Sequence, residues 1–166
     1  MSAPAPRLRI ATAADVPRLC ALMAENYAEA GYPFDPAAAR TCFEALARDQ
    51  ELGETWLVEV GGEVCGYAVL ALGFSLEYRG RDAFVDDLYL VPARRGGGLG
   101  RLAMDAVEAV ARERGVVALH LEVERDNARA AALYRRMGYR DTNRKLMTKL
   151  LAPQTGAAGT RQTSDA

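Results

Sequence analysis

The chain has 166 residues, of which 50% are hydrophobic and 26% are charged, and its formal net charge at pH 7 is −1. This length and composition fit one globular domain that can bury a core. The small net charge argues against nucleic-acid binding, and no apolar run reaches the roughly 20 residues of a membrane-spanning helix. The N-terminal stretch MSAPAPRLRI lacks a hydrophobic signal core, so we expect a cytoplasmic protein.

Few residues suit metal or thiol chemistry. The three cysteines, Cys20, Cys42 and Cys65, have no metal-ligand spacing, so we expect reduced and mostly buried thiols. His120 is the only histidine, which leaves little for a zinc site or a histidine-based triad. The sequence therefore predicts no bound metal.

The first half of the chain predicts a strand, two helices and a hairpin. Residues 7–13 predict a short strand, and Thr12 with Asp15 resembles a capping box before an amphipathic helix that ends near Gly31. Asp35, followed by proline, is typical of the start of a second helix. The segments TWLVEV and EVCGYAVLAL are separated by two glycines, a pattern that predicts a hairpin.

The second half alternates strands and helices. AFVDDLYLV predicts a strand that ends at Pro92, and an apolar stripe from Leu99 predicts a long helix that ends before Gly115. VVALHLEVE predicts a strand, NARAAALYRRM a short helix closed by Gly138, and KLMTKLL a last strand. Residues 152–166 are small and polar and predict a disordered tail. The order of elements predicts an α/β sandwich around one sheet, with one domain over residues 1–151.

A glycine-rich loop, VPARRGGGLGR, lies between a predicted strand and the long helix. The free N–H groups and the dipole of a helix N-terminus favour an anion, and glycines let a phosphate approach the backbone. Because Arg95 and Arg101 add positive charge, the loop predicts a pyrophosphate cradle, although a flexible turn has the same composition. The loop lacks the Gly-Lys-Ser/Thr ending of a P-loop ATPase, and Arg101 replaces the third glycine of the dinucleotide motif.

Two motifs resemble those of the GNAT superfamily of acetyl-CoA-dependent N-acetyltransferases. Arg95-x-x-Gly98-x-Gly100 is similar to the family pattern Q/R-x-x-G-x-G/A, and NARAAALYRRMGY, about thirty residues later, is similar to N…A…LY…GF. The order of elements also agrees over residues 7–151. The resemblance implies the GNAT fold, with a mixed central sheet of about six to seven strands and helices on both faces. It also implies an acyltransferase with acetyl-CoA as co-substrate and no metal.

The resemblance implies two sets of cofactor contacts. Backbone amides of the glycine loop would hold the pyrophosphate, and exposed strand backbone would bind the pantetheine arm where the sheets of this family splay. Asn127 is expected to cap the last helix and to lie near the cofactor arm. The expected cofactor-binding residues are Leu88, Tyr89, Leu90, Arg95, Gly96, Gly97, Gly98, Leu99, Gly100, Arg101 and Asn127.

Tyr134 stands two helical turns after Asn127, where its ring can also serve core packing alone. In the resembled family the matching tyrosine directs its hydroxyl at the CoA sulfur and acts as a general acid. That role suits a reaction in which charge passes to a departing thiolate. The resemblance therefore implies that Tyr134 is catalytic.

Five acidic residues are expected to bind the substrate. Asp86 and Asp87 lie within a strand, where aspartate is depleted, and as neighbours we expect them to face opposite sides of the sheet. Glu25 and Glu29 share a helix face, but solvated surface carboxylates explain them equally well. Asp87 and Glu122 flank the predicted strand gap, so either can be catalytic and take a proton from an amine, whose pKa of about 10.4 keeps it charged.

The acceptor and some aspects of the chemistry stay open. ATAAD and VDDLYL are similar to the spermidine/spermine N-acetyltransferase branch, but GFSLEYRGRDAF, expected to place Glu77 and Tyr78 over the substrate, is not. Peptide N-termini, lysine side chains, aminoglycosides and small amino acids are further candidate acceptors. We expect direct attack in a ternary complex rather than an acetyl-cysteine route, because no cysteine lies in the expected cleft segments.

Two alternatives concern the protein as a whole. The same fold could serve a non-catalytic CoA-binding or interaction module, or the transfer of a longer acyl group. The expected partner is a small-molecule or peptide amine, with no nucleic acid and no membrane. Members of the resembled family often form homodimers, but no residue of this sequence specifies an interface.

Overall fold

The computed structural model describes residues 6–152, which form four α-helices and a five-stranded sheet. The strands are β1 (Pro6–Ile10), β2 (Gly53–Val60), β3 (Glu63–Ser75), β4 (Gly80–Leu90) and β5 (Ala118–Leu121). The helices are α1 (Val16–Ala30), α2 (Pro36–Arg48), α3 (Leu99–Glu113) and α4 (Ala128–Arg136). Within this part of the chain, none of the helices has the length and apolarity to cross a bilayer.

The sheet is mixed and is covered on both faces. Its strand order is β1-β2-β3-β4-β5, antiparallel from β1 to β4 and parallel between β4 and β5. Tyr67 and Val69 on β3 pack with α1 and α2, whereas Ala68 and Leu70, between and beside them, pack with α3. Because side chains alternate along a strand, β3 contributes to both halves of the core. The expected fold class, with helices on both faces of a mixed sheet, is confirmed.

Capping residues and turn glycines in the sequence predicted the ends of several elements correctly. Thr12 and Asp15 form the expected capping box, and the Asp35 side chain accepts hydrogen bonds from the first turn of α2. Gly61 and Gly62 have φ values of 63° and 83°, the left-handed backbone that a two-residue hairpin turn requires. Each of these features depends on residues a few positions apart, so the local sequence suffices to predict it.

The number of strands is lower than expected. The structure has five strands instead of six to seven, because KLMTKLL does not pair with the sheet. VVALHLEVE does form a strand, but only over the four residues of β5. An alternating pattern shows that a segment can be a strand, but strand pairing needs a neighbouring edge in three dimensions. The expected tail lies almost entirely outside the described residues, which end at Ala152.

Two irregularities of β4 create the site. The β3–β4 register passes from Val69 opposite Asp87 to Leu70 opposite Val85, so Asp86 is the extra residue of a β-bulge. Pairing between β4 and β5 ends at Val85 and Leu121. β4 continues for five residues to Leu90, whereas the chain after Leu121 leaves the sheet. The two parallel strands therefore part at the bulge.

Candidate active site

A cavity of about 750 Å³ lies where β4 and β5 part. This volume is in the range of small-molecule sites. Its walls are formed by the end of α1, by α2, by β4 around the bulge, by the segment after β5 and by the start of α4. The residues predicted for the site that line this cavity are Glu29, Asp86, Asp87, Leu88, Glu122, Asn127 and Tyr134.

Asp87 is an acidic residue of the cavity whose carboxylate is held by two uncharged side chains. The Tyr67 hydroxyl donates to Asp87 Oδ2 at 2.6 Å, and Asn26 Nδ2 donates to Oδ1 at 2.8 Å. Burial raises the pKa of Asp87 and nearby Asp86 adds to the increase, whereas the two hydrogen bonds favour the charged form and oppose it. The result is an oriented carboxylate that is a stronger base than an exposed aspartate.

Tyr67 and Asn26 were not predicted from the sequence. Tyr67 is fully buried on β3, and its ring lies edge-on to Phe43 with centroids 6.0 Å apart. Asn26 also donates to the Tyr67 hydroxyl at 3.3 Å. Their link to Asp87 depends on the β3–β4 register and on the docking of α1, which no short motif encodes.

Asp86 and Glu122 are exposed carboxylates at the same cavity. The expectation that Asp86 and Asp87 face opposite sides of the sheet is wrong, because the bulge interrupts the alternation and both residues line the cavity. Within residues 6–152, neither the Asp86 nor the Glu122 carboxylate forms a hydrogen bond or an ion pair. Both are therefore available to attract a cation.

The two acidic residues of α1 have different positions. Glu29 lies at the cavity, but its carboxylate accepts hydrogen bonds from Arg95 Nη1 at 2.5 Å and Nη2 at 2.8 Å, which lower the pKa of Glu29. Glu25 is outside the cavity lining, and its carboxylate accepts a long hydrogen bond of 3.4 Å from the Tyr89 hydroxyl. The shared helix face therefore brings Glu29 alone to the site.

The glycine loop has a backbone shape that only glycine adopts easily. Gly96 and Gly98 have φ values of 98° and 84°, and Gly98 is the N-cap of α3. A Cβ atom on Gly98 would meet no atom within 4 Å, so the requirement comes from backbone conformation and leaves open space beside the helix end. No side chain within the described residues caps this first turn, and no acidic residue stands in it. The amide groups of the loop and first turn thus suit an anion such as pyrophosphate.

The loop adjoins α4, the helix that reaches into the cavity. A Cβ atom on Gly100 would lie 3.6 Å from Leu133 Cδ2, and one on Gly96 would lie 3.7 Å from an Arg129 nitrogen. Leu133 precedes Tyr134, which lines the cavity. The glycine loop at the start of α3 and the cavity are therefore neighbouring parts of one surface.

The two arginines of the motif bind to protein groups. Arg95 Nε donates to the Leu90 carbonyl at 2.8 Å, and its guanidinium lies 5.3 Å from the centre of the Tyr89 ring. With the Glu29 ion pair, these contacts hold the glycine loop against β4 and α1. Arg101 is exposed and pairs with Asp105 at 3.0 Å. The side chains of Tyr89 and Leu90 are buried, so only their backbone can face a ligand.

Asn127 and Tyr134 lie at the start of α4 and within it. Asn127 Oδ1 accepts a hydrogen bond from the Ala130 amide at 3.1 Å, so the predicted N-cap is confirmed. Tyr134 is half-buried, and its ring packs edge-on against Tyr139 with centroids 5.8 Å apart. Burial raises the pKa of Tyr134, and its hydroxyl has no hydrogen-bond partner among the described residues. The hydroxyl thus keeps its proton at neutral pH and is free to donate it.

Two expectations about the cleft are wrong. Cys42 is exposed and lines the cavity, although the local sequence placed no cysteine there. No lysine, arginine or histidine is among the described lining residues, so the cavity offers this thiol no basic side chain. Glu77 and Tyr78 lie elsewhere: Glu77 pairs with Arg144 at 2.8 Å and 3.0 Å, and the Tyr78 ring contacts His120.

The cavity is more acidic and more aromatic than the sequence suggested. Glu124 and Asp126 also line it, so every charged lining residue in the described part of the chain is acidic. Tyr27 and Tyr32 contribute aromatic faces, and the Tyr32 hydroxyl donates to Glu124 across the cleft. Burial, and to a lesser degree Asp87, raises the pKa of Tyr27. This surface suits a positively charged ligand.

Comparison with known proteins agrees with this geometry. The model of the acetyltransferase (GNAT) family matches residues 18–139. The chain is 35% identical over 95 residues to a streptothricin acetyltransferase of Streptomyces lavendulae, covering 56% of this chain and 48% of that protein. It is also 35% identical over 78 residues to a thialysine N-epsilon-acetyltransferase of Bos taurus, covering 47% of this chain and 45% of that protein. The chain thus spans about half the length of these curated relatives.

Solved structures share most of the fold. An integron cassette protein, HFX_CASS3, from the mobile metagenome of Cole Harbour Salt Marsh superposes with a TM-score of 0.79 and 41% identity, covering 89% of this chain and 91% of that chain. A predicted acetyltransferase from Clostridium acetobutylicum, solved with acetyl-CoA, has a TM-score of 0.74 and 19% identity, covering 89% of this chain and 97% of that chain. At that identity the second likeness concerns the fold alone.

Proposed function

Because the chain belongs to the GNAT acetyltransferase family, we propose that it transfers an acetyl group from acetyl-CoA to a cationic amine by direct attack. The observation that carries the proposal is the parting of β4 and β5, which brings Asp87 and Tyr134 to one cavity. One side chain can then take a proton from the amine while the other donates a proton to the leaving group.

The co-substrate would lie along the glycine loop and the free edge of β4. The amides of residues 96–101 would hold its pyrophosphate, since two left-handed glycines open the helix end and no acidic residue opposes an anion there. Backbone groups of residues 88–90, beyond the last pair with β5, would bind its amide-containing arm, and Asn127 would lie beside that arm. When bound, acetyl-CoA supplies an activated thioester carbonyl.

The acceptor would be recognised by charge. An alkyl amine with a pKa of about 10.4 arrives protonated at neutral pH. Asp86 and Glu122 have no partner of their own within the described residues, and no cationic side chain lines the cavity. Their negative charge would draw the ammonium group toward the strand gap, and it would disfavour anionic acceptors.

Asp87 is our choice for the general base. Its two oxygens are fixed by Tyr67 and Asn26, and the carboxylate keeps a lone pair for the ammonium group or for a bridging water. Burial raises its pKa, which moves it toward the range in which a base works well at neutral pH. Glu122 is exposed, and no described residue holds its carboxylate in place. We therefore assign it to substrate binding and keep it as the alternative base.

Tyr134 is our choice for the general acid. Its half-buried hydroxyl holds a proton and donates it to no described protein group. A departing thiolate at the strand gap would accept that proton. A CoA thiol with a pKa near the cysteine value of about 8.5 is already a fair leaving group, so this contribution is expected to be modest.

The direct test is a screen of amines with acetyl-CoA, followed by release of free thiol and by mass spectrometry of the acceptor. Diamines, lysine, a peptide with a free N-terminus and an aminoglycoside represent the cationic class, and their acetylated or neutral analogues are the matched controls. We expect thiol release with cationic acceptors only. Binding of acetyl-CoA without turnover of any amine would contradict the proposed acetyl transfer. Turnover confined to neutral or acidic acceptors would contradict the proposal that the acceptor is recognised by its positive charge.

A further inference from the structure

An aromatic side chain lies open in the middle of the sheet. Phe84 belongs to β4, which has a strand on each side, yet 40% of this residue is exposed. Its neighbours along the strand, Ala83 and Val85, are only 1% and 7% exposed, and they pack in the part of the core that contains α3. β4 is therefore packed on one face here, while its other face presents a ring to solvent.

The open face of β4 is the same face that carries the cavity. Val69 of β3 lines the cavity and is opposite Asp87, whereas Ala71 is opposite Phe84. Because Val69 and Ala71 are two residues apart on one strand, their side chains share a face. Phe84 is thus on the face of the cavity, about 7 Å along the sheet from Asp87. Its ring extends the surface of the cavity toward the β3–β4 hairpin.

A second ring lies next to Phe84. His120 of β5 is opposite Phe84, and the two ring centroids are 5.1 Å apart. Two further residues hold the imidazole in place: Asp82 Oδ2 lies 3.4 Å from His120 Nε2, and the Tyr78 ring lies 5.2 Å from the imidazole ring. Phe84 and His120 thus form one surface of two neighbouring rings, which we call the aromatic surface.

The aromatic surface differs in chemistry from the cavity. The cavity has two exposed carboxylates, Asp86 and Glu122, that have no partner within residues 6–152 and suit an ammonium group. At the aromatic surface only 17% of the Asp82 side chain is exposed, and its carboxylate already lies beside the imidazole. What this surface offers a ligand is the face of Phe84, and a flat apolar group gains most from such a contact. The two regions therefore suit different ends of one ligand.

We propose that the aromatic surface is the distal part of the acceptor site and binds an aromatic group of the amine. This inference rests on the proposed function, because it takes Asp87 as the place where the amine reacts. The acceptor is then an arylalkylamine, in which a flexible spacer of about 7 Å separates the amino group from the ring. Its ammonium group would lie among the carboxylates, and its ring would stack on Phe84 and His120.

Acetyl transfer to three amines tests this assignment. Phenylbutylamine, butylamine and diaminobutane share a chain and differ at its far end. We expect kcat/KM for phenylbutylamine to exceed that for butylamine about tenfold, mainly through a lower KM, because the ring contacts add binding energy. Any difference between diaminobutane and butylamine should be independent of Phe84, because the carboxylates of the cavity bind the second ammonium group.

Three variants locate the preference. Phe84→Ala should abolish the tenfold preference for phenylbutylamine, and Phe84→Leu, which keeps apolar volume without a ring, should abolish most of it. Phe74→Ala is the matched control and should keep the preference, because Phe74 is 74% exposed on the same hairpin but faces the opposite side of the sheet.

Several results would overturn the inference and leave the proposed function in place. One is an equal kcat/KM for phenylbutylamine and butylamine in the wild type. Another is a preference that survives both Phe84 variants. An equal loss with all three amines would show that Phe84 has a structural role only. An advantage of diaminobutane that depends on Phe84 would assign the aromatic surface to a second cation and would also overturn the inference.

Ligand-observed NMR separates the aromatic surface from the proposed chemistry. Saturation transfer from the protein to the ring protons of phenylbutylamine measures the Kd of this amine without turnover. We expect this Kd to rise about tenfold in Phe84→Ala and to stay constant in Phe74→Ala. This result without acetylation of any amine would overturn the proposed acetyl transfer and support the aromatic surface. An unchanged Kd in Phe84→Ala would overturn the aromatic surface alone.

Discussion

The glycine loop and the Asp87 cavity adjoin each other, but the chain builds them in different ways. The loop is formed by consecutive residues, and its anion-binding groups are backbone amides at one helix end. Asp87 is instead held by Asn26, which is 61 positions away, and by Tyr67, which is 20 positions away. The comparison teaches that the proposed cofactor contacts come from local sequence, whereas the proposed acid–base chemistry would depend on how distant elements dock.

A change at Asp87, the proposed general base, should have the largest effect on activity. We expect Asp87→Asn to lower kcat/KM by about 10²–10⁴-fold, since asparagine preserves shape but cannot take a proton. Thermal shift should show unchanged acetyl-CoA binding, because the glycine loop does not depend on this residue. Asp86→Asn is the matched control and should act mainly through a raised KM. Equal losses in both variants would mean that charge alone, not a held base, matters at this position.

Replacement of Tyr134, the proposed general acid, should lower activity somewhat less. We expect Tyr134→Phe to lower kcat by about 10²-fold while the affinity for acetyl-CoA stays nearly constant, because the hydroxyl acts mainly in the transition state. The ring contact with Tyr139 should survive, so the midpoint of thermal unfolding should change little. Wild-type turnover across the pH range would show that Tyr134 only packs and that water protonates the thiolate.

A charged side chain in the glycine loop tests whether acetyl-CoA binds there. Acetyl-CoA at 100 times its Kd should stabilise the wild type by about 2.7 kcal/mol, and Gly98→Asp should remove this stabilisation by placing a carboxylate at the helix end. Gly115→Asp is the matched control because Gly115, with a φ of 74°, has similar backbone strain at the other end of α3. A full ligand shift in Gly98→Asp would place the cofactor elsewhere.

The smallest expected effect concerns Tyr67, one of the two distant residues that hold Asp87. Tyr67→Phe removes a hydrogen bond to the charged form of Asp87, so the pKa of Asp87 should rise further. Because the base works when ionised, the acidic limb of the kcat/KM profile should move to higher pH, with a loss of about 0.5–1.5 kcal/mol in the free energy of unfolding. A purely structural role for Tyr67 would lower stability and leave the limb in place.

Features that depend on short stretches of sequence could be predicted well. The hairpin glycines, the Asp35 and Asn127 caps and the glycine loop all occur as expected, because turns and helix ends depend on residues a few positions apart. The two motifs were also sufficient for the family, which the match over residues 18–139 confirms. Predictions about the exposed loop with Glu77 and Tyr78 failed because they assumed a position in space.

The sequence by itself determined the order of elements as far as α4, the left-handed glycines before α3 and the acidic residues of β4. Only the tertiary structure decided that Asp86 forms a bulge, that Asp86 and Asp87 line one cavity, and that Cys42 lies there as well. It also decided that KLMTKLL remains outside the sheet. The physical reason is that backbone conformation follows from local sterics and hydrogen bonds, whereas strand register and helix docking follow from packing between residues far apart in the chain.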